Sequence, residues 1–297
     1  MTSPPGSAPD YTSVSYSSFS TLNTIDICLP RPVNQSHKAV WVVYIHGGAW
    51  RDPDINAASL GPAQEILLRS EVVRQIAGFA SINYRLSPYL DSPYQQTSSA
   101  DPAHNAMHPD HINDVLQALL YLQEKFSFDK RYILVGHSCG ATLAFQVAMK
   151  CCWGQSGLNE RGVKPPIAIL GVEGLYDLPG LVNNHSQTPA YKDFISTAFG
   201  LDTSVWAAAS PVNGRYCESW TEGRLAVIAH SHQDEMVELD QSISQLSALR
   251  RSGFGETNVD RKLKFIELSG QHDQVWHEGT ELARAIQLTL HLLIKPL

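Results

Sequence analysis

Two nucleophile types sit side by side in Gly136-His137-Ser138-Cys139-Gly140, with an imidazole next to both. A hydroxyl or a thiol can carry a covalent acyl intermediate if a base takes its proton and an acid orients that base. The pattern is G-x-S-x-G, preceded by the apolar run "YILV" and followed by "GATLA". Glycines on both sides permit a tight strand-to-helix turn that lifts one side chain clear of the backbone, and the raised position belongs to Ser138. Cys139 would need its own base and an electropositive, exposed niche to act through sulfur. Its expected contribution is its backbone N–H.

A second element, "HGGAW" (46–50), ends an apolar run that begins at Lys38. Oxyanion stabilisation needs backbone N–H groups aimed at one point, and glycines let a carbonyl approach that backbone closely. The order strand, HGG, strand, G-x-S-x-G is that of the α/β-hydrolases, in which one oxyanion donor comes from this loop and another from the residue after the nucleophile. In the same arrangement the acid and then the base follow the serine in chain order, on loops after later strands. "SHQDEMV" after "GRLAVIAH" offers Asp234 and Glu235, and "QHDQVW" after "LKFIELSG" offers His272. Asp234 is preferred because it comes earlier in its loop and its shorter side chain holds an imidazole more rigidly.

The remaining histidines have plainer readings. His137, at the x position of the turn, points away from Ser138 and packs. His46 hydrogen-bonds to shape the oxyanion loop. His104, His108, His111 and Asp114 cluster in "HNAMHPDHIND", which raises a metal reading. Pro109 interrupts the i, i+4 spacing of a zinc-binding helix, so capping and packing are favoured and no metal is expected. His230 and His232 share a loop with Asp234 and are weaker candidates for the base.

These residues need a scaffold. "KAVWVVYIHGG", "GFASINYRLSP", "RYILVGHS", "PIAILGVEG", "GRLAVIAHS" and "LKFIELSG" read as strands buried on both faces, separated by helical patterns. "SFSTLNTIDICLPRP" alternates as an antiparallel edge strand would. The expected fold is one doubly wound, mostly parallel sheet with helices on both faces and a small lid or insert region. Residues 1–19 are expected to be a disordered tail and 20–297 a single domain, with inserts at 87–107 and 175–206 near the carboxyl ends of strands, where ligands bind. The chain has 297 residues, 43% hydrophobic and 17% charged, with net charge −7, which fits a globular protein and argues against a nucleic-acid partner. No apolar run is long enough to span a bilayer. The absence of a secretory layout at the start and the odd count of five cysteines fit reduced thiols in the cytoplasm. Cys151 and Cys152 read as small buried apolar residues at a helix end.

From about Ser20 onward the chain resembles the kynurenine formamidase (arylformamidase) branch of the α/β-hydrolases, close to fungal members. The resemblance rests on "STLNTIDICLPRP", "HGGAWRDP", "NYRLSP", "HPDHINDV", "GHSCGA", "EGLYDLPGLV", "YKDFISTAFG" and "GQHDQVW". It implies Ser138 as nucleophile, Asp234 as acid and His272 as base, with oxyanion donors at Gly47, Gly48 and Cys139. It implies hydrolysis of N-formyl-L-kynurenine to L-kynurenine and formate, a step of tryptophan breakdown towards NAD synthesis, without a cofactor. Trp50 is expected to close the acyl side of the site, and Tyr176, Asn183 and Ser210 are candidates for substrate contact. A homodimer remains open as the assembly. The stretch "DSPYQQTSSADPAHNAM" is longer than the family's usual loop. The competing readings are a carboxylesterase or lipase of the hormone-sensitive-lipase-like group, a non-catalytic hydrolase-fold receptor or scaffold, and a metal-dependent formamidase.

Overall fold

The computed structural model describes residues 8–31, 39–89, 101–149 and 162–294. Its eight strands are β1 (Asp10–Ser15), β2 (Thr24–Leu29), β3 (Val40–Ile45), β4 (Ile76–Ile82), β5 (Tyr132–His137), β6 (Ala168–Val172), β7 (Leu225–Ser231) and β8 (Lys262–Leu268). They form one sheet in the order β1-β2-β4-β3-β5-β6-β7-β8. β1–β2 and β2–β4 are antiparallel, and every later pairing is parallel. This is the α/β-hydrolase arrangement expected from the strand pattern.

Central strands β3, β5, β6 and β7 are buried along their whole length, because helices cover both faces. Alternate residues feed two cores. Val42, Tyr44, Val135, Leu170 and Val227 face helices α1 (Gly61–Leu68) and α10 (Thr280–Ile294). Trp41, Val43, Leu134, Ile169 and Ile228 face α2 (Asp110–Phe126), α3 (Cys139–Met149) and α8 (Leu239–Arg251). The excursion between β6 and β7 holds α4 (Leu178–Asn184), α5 (Pro189–Phe199), α6 (Thr203–Ala209) and α7 (Tyr216–Ser219), and α9 (Gln274–His277) follows β8.

Two expectations, the disordered tail and the edge position of the strand in "SFSTLNTIDICLPRP", need correction. Residues 10–15 of the supposed disordered tail form β1, and β2 is therefore an inner strand. β1 is mostly exposed and polar, so no apolar alternation marks it. The open backbone edge of β2 organises it instead. The insert at 87–107 is tied down at its far end: Leu86 N–H donates to Ala103 O (2.8 Å) and Ala106 N–H to Leu86 O (2.9 Å). Its residues 90–100, like Cys151 and Cys152, lie outside the described residues. No helix among the described residues is long and apolar enough to cross a membrane.

Candidate active site

The turn between β5 and α3 is closed by two approaches that a side chain would block. A Cβ on Gly136 would lie 2.2 Å from Gly140 O, and one on Gly140 would lie 2.2 Å from Ile45 O. Ser138 sits at the apex with φ 54°, and its N–H donates to Val172 O on β6 (2.9 Å). The left-handed backbone at a non-glycine residue costs about 1–3 kcal/mol and is tolerated where the surroundings over-determine it. Here β3, β5 and β6 do so.

Cys139 begins α3, where a backbone N–H has no intrahelical acceptor. Its sulfur is fully buried, accepts from Trp50 N–H (3.3 Å) and meets the Tyr84 hydroxyl at 3.6 Å. Burial pushes the thiol up to about 11, so at neutral pH it is protonated and a poor nucleophile. The neighbouring loop turns sharply through Gly48 (φ 91°), Ala49 (49°) and Trp50 (59°). Gly47 abuts the apex: a Cβ there would stand 3.1 Å from Ser138 Cβ. His46 is neutral, its pKa lowered by burial to about 4. Its Nδ1–H donates to Gly47 O (2.9 Å) and its ring stacks on Tyr84 at 4.4 Å, which holds the loop as the sequence suggested.

The carboxyl ends of β7 and β8 bring the other candidates together. Asp234 Oδ2 lies 2.9 Å from His272 Nδ1, while its Oδ1 accepts the N–H groups of Met236 (2.9 Å) and Val237 (2.8 Å). An ionised carboxylate only accepts, so Nδ1 carries the proton and Nε2 is left as the basic nitrogen. Glu235, the alternative acid, accepts the backbone N–H of His272 instead (3.1 Å). His230 is spent elsewhere, with Nε2–H donating to Val237 O (3.0 Å) and Nδ1 accepting from Ser242 Oγ (3.0 Å). His232 is exposed, 3.7 Å from Glu267. His137 does more than pack, since its Nε2–H donates to His272 O (3.1 Å).

Ser138 and His272 open onto one cavity of about 280 Å³, lined also by Gly48, Arg51, Tyr89, Tyr191 and Phe194. The aromatic wall comes mainly from α5. Trp50 is not part of that lining. The left-handed loop turns its ring inward, fully buried and edge-on to Phe199 at 5.0 Å, so it backs the wall. Tyr176 is fully buried against Phe145. Ser210 is a buried structural link, accepting from Leu178 N–H (3.0 Å) and donating to Trp206 O (2.7 Å). Asn183 is exposed on α4 and does not line the cavity. None of the three lines the cavity, because position near an insert does not give direction: Tyr176 packs into the core, Ser210 ties the end of α6 to α4, and Asn183 faces solvent.

The histidine cluster disperses to separate partners. His104 Nδ1 lies 2.9 Å from Asp101, buried His111 Nε2 meets Ser87 Oγ (3.0 Å), and His108 packs on Phe199. Asp114 accepts a forked pair from Arg85 Nε and Nη2, both at 2.8 Å. A carboxyl that the sequence reading missed lies behind the histidine: Glu173, just past β6, is fully buried with φ 49°. Ala49, Trp50, Ser138 and Glu173 are four of the six non-glycine residues with positive φ among the described residues, so the backbone strain of this molecule concentrates at one place.

The BD-FAE family model matches residues 25–249. The kynurenine formamidase-like hydrolase fscH of Fusarium equiseti is 40% identical over 279 residues, covering 92% of this chain and 91% of that protein. The kynurenine formamidase avaC of Aspergillus versicolor is 35% identical over 280 residues, covering 86% and 90%. Among solved structures, a truncated carbohydrate esterase from gut microbiota aligns with TM-score 0.63 at 20% identity, covering 96% of this chain and 97% of that one. Esterase B from Lactobacillus rhamnosis aligns with TM-score 0.65 at 17% identity, covering 96% and 86%. At that identity the structures speak to the fold alone. The chain belongs to the BD-FAE family and to the kynurenine formamidase group of α/β-hydrolases.

Proposed function

We propose that the chain hydrolyses N-formyl-L-kynurenine to L-kynurenine and formate through Ser138, His272 and Asp234. The observation that carries this reading is the buried Asp234–His272 pair opening, with the raised Ser138, onto one aromatic-walled cavity. The substrate class follows from the likeness to relatives named kynurenine formamidase. His272 Nε2 takes the Ser138 proton as Oγ attacks the formyl carbon. Backbone N–H groups of Gly47, Gly48 and Cys139 receive the developing oxyanion, each worth about 3 kcal/mol of barrier. The imidazolium then protonates the aniline nitrogen as the C–N bond breaks. Water, deprotonated by His272, attacks the formyl-serine, and the imidazolium returns that proton to Ser138 Oγ as the Oγ–formyl bond breaks and formate departs. On this reading the reaction belongs to tryptophan breakdown in the cytoplasm.

The rim of the cavity supports a substrate with an amino-acid end. Arg51 lines it, stands over the Tyr89 ring at 4.2 Å and pairs with Asp193 on α5. One positive and one negative group side by side complement an α-carboxylate and an α-ammonium. Arg51→Gln is expected to raise KM for N-formyl-L-kynurenine about tenfold, the value of one charged contact, and to leave neutral formanilide unaffected. Equal KM changes for both substrates would remove this role.

The decisive experiment follows kynurenine release in wild type, Ser138→Ala and Cys139→Ala beside p-nitrophenyl butyrate hydrolysis. Fast deformylation lost only in Ser138→Ala supports the reading. Slow deformylation with fast butyrate cleavage makes the protein a general carboxylesterase, and no turnover of either makes it a non-catalytic member of the fold.

A further inference from the structure

Glu173 is the polar group that the reaction above leaves unused. It follows the last residue of β6, its N–H donates to Ala229 O on β7 (2.9 Å), and its left-handed backbone turns the side chain beneath His272. Its side chain is wholly shielded from solvent. Among the described residues, neither carboxyl oxygen makes a hydrogen bond of ordinary length. Oε2 lies 3.8 Å from His272 Nδ1 and 3.5 Å from His137 Nε2. Nδ1 of His272 therefore faces two carboxyl groups, Asp234 at 2.9 Å and Glu173 behind it.

The trio His137, Glu173 and His272 is compact enough to suggest a metal site. The protonation pattern argues against one. His137 Nε2 donates to a carbonyl and His272 Nδ1 to a carboxylate, so neither facing nitrogen has a lone pair to offer.

We propose that Glu173 is a positioning residue for His272, a second carboxyl on the Nδ1 side that holds the imidazole with Asp234 and supplies the orienting charge when Asp234 is removed. The inference rests on the triad reading above. In the resting protein Glu173 is neutral, because burial and the adjacent Asp234 push its pKa up to about 10, against the opposing pull of the nearby Ser231 backbone N–H and with Glu235 and Asp273 adding to the rise. A neutral acid adds no second negative charge to the site, yet it fills the space behind the ring. With the Asp234 carboxylate gone, the principal charge opposing ionisation is gone too. Burial still opposes ionisation, so Glu173 loses its proton to solvent only towards the alkaline end of the pH range, at lower pH than in wild type, and then faces Nδ1–H as a carboxylate.

The test is a cycle of wild type, Asp234→Ala, Glu173→Gln and the double variant, assayed by kynurenine release from pH 5 to 9. Glu173→Gln keeps the shape of the neutral acid, and its kcat is expected to fall less than tenfold. Asp234→Ala should lose about 100-fold to 1000-fold, less than the ~10⁴-fold seen when a triad acid is lost with no substitute. Its remaining activity should rise with pH along a limb set by ionisation of Glu173. The double variant should drop at least a further tenfold and lose that limb. The downfield Nδ1–H proton resonance of His272 should survive in Asp234→Ala and vanish in the double variant. Equal activities, superposed pH profiles and the same resonance in Asp234→Ala and the double variant overturn the proposal and leave the triad reading standing. An Asp234→Ala enzyme with wild-type activity, or turnover in Ser138→Ala, overturns the triad reading and the proposal with it.

Discussion

At the scale of single residues, the adjacent Ser138 and Cys139 are separated by environment. One stands at the apex of a turn facing a cavity, and the other has its sulfur sealed beneath Trp50 and Tyr84 with its thiol pKa raised to about 11. Ser138→Ala is expected to lower kcat on the order of 10⁶-fold, as removal of a triad nucleophile does in a serine protease. Cys139→Ala should keep activity within about tenfold, since its proposed role uses the backbone N–H. Loss of activity in Cys139→Ala, with its fold intact by circular dichroism, would return the sulfur to the mechanism. Asp234 and Glu235 illustrate the same point. Both carboxylates reach His272, one at the ring and one at the backbone N–H, and the geometry of the β7 loop sets which does which.

At the scale of elements, the site is a set of strand ends held in register by glycines. Gly140 allows α3 to begin against the β3 backbone, and a methyl group there would collide with Ile45 O. Gly140→Ala is expected to cost on the order of 3 kcal/mol of stability, at the upper end of overpacking changes because a backbone oxygen cannot rotate away. A urea titration of both proteins would show it, and an unchanged midpoint would mean the turn relaxes. Helix α5 plays a different part, since it carries Tyr191 and Phe194 into the cavity wall and Asp193 to Arg51. Nothing in the sequence of this insert marks which face of α5 does so.

At the scale of the molecule, the buried ionisable groups set opposing pH dependences. His46 and His111 are held neutral by burial, with pKa values lowered to about 4 and about 3. The unfolded chain binds their protons first, so their contribution is complete above about pH 6.5 and is lost as pH falls through that window. Glu173 acts the other way. Its folded pKa lies near 10 against 4.5, so the native state holds a proton that the unfolded chain releases, and stability falls as pH rises between those values. Wild type should lose up to about 1 kcal/mol per pH unit relative to Glu173→Gln from pH 7 to 9. Thermal melts across that range would check this. A constant Tm difference would show that Glu173 is ionised in the folded protein.

The sequence by itself determined the fold class, the turn bearing Ser138, the HGG loop and the order in which Asp234 and His272 follow. These are legible because they depend on local pattern: apolar runs of strand length, glycines at fixed offsets and loops after particular strands. β1 escaped because its place is set by the open edge of β2 and not by its own side chains. Tyr176, Ser210 and Trp50 turn into the core instead of facing the cavity, because proximity in sequence does not give direction. Glu173 escaped for the opposite reason. It ends an ordinary strand pattern, and its position under His272 requires β5, β6, β7 and the loop after β8 to assemble first. Chemistry carried by spacing along the chain can be read from the sequence. Which buried carboxyl shares a histidine with another is settled only when distant strand ends converge.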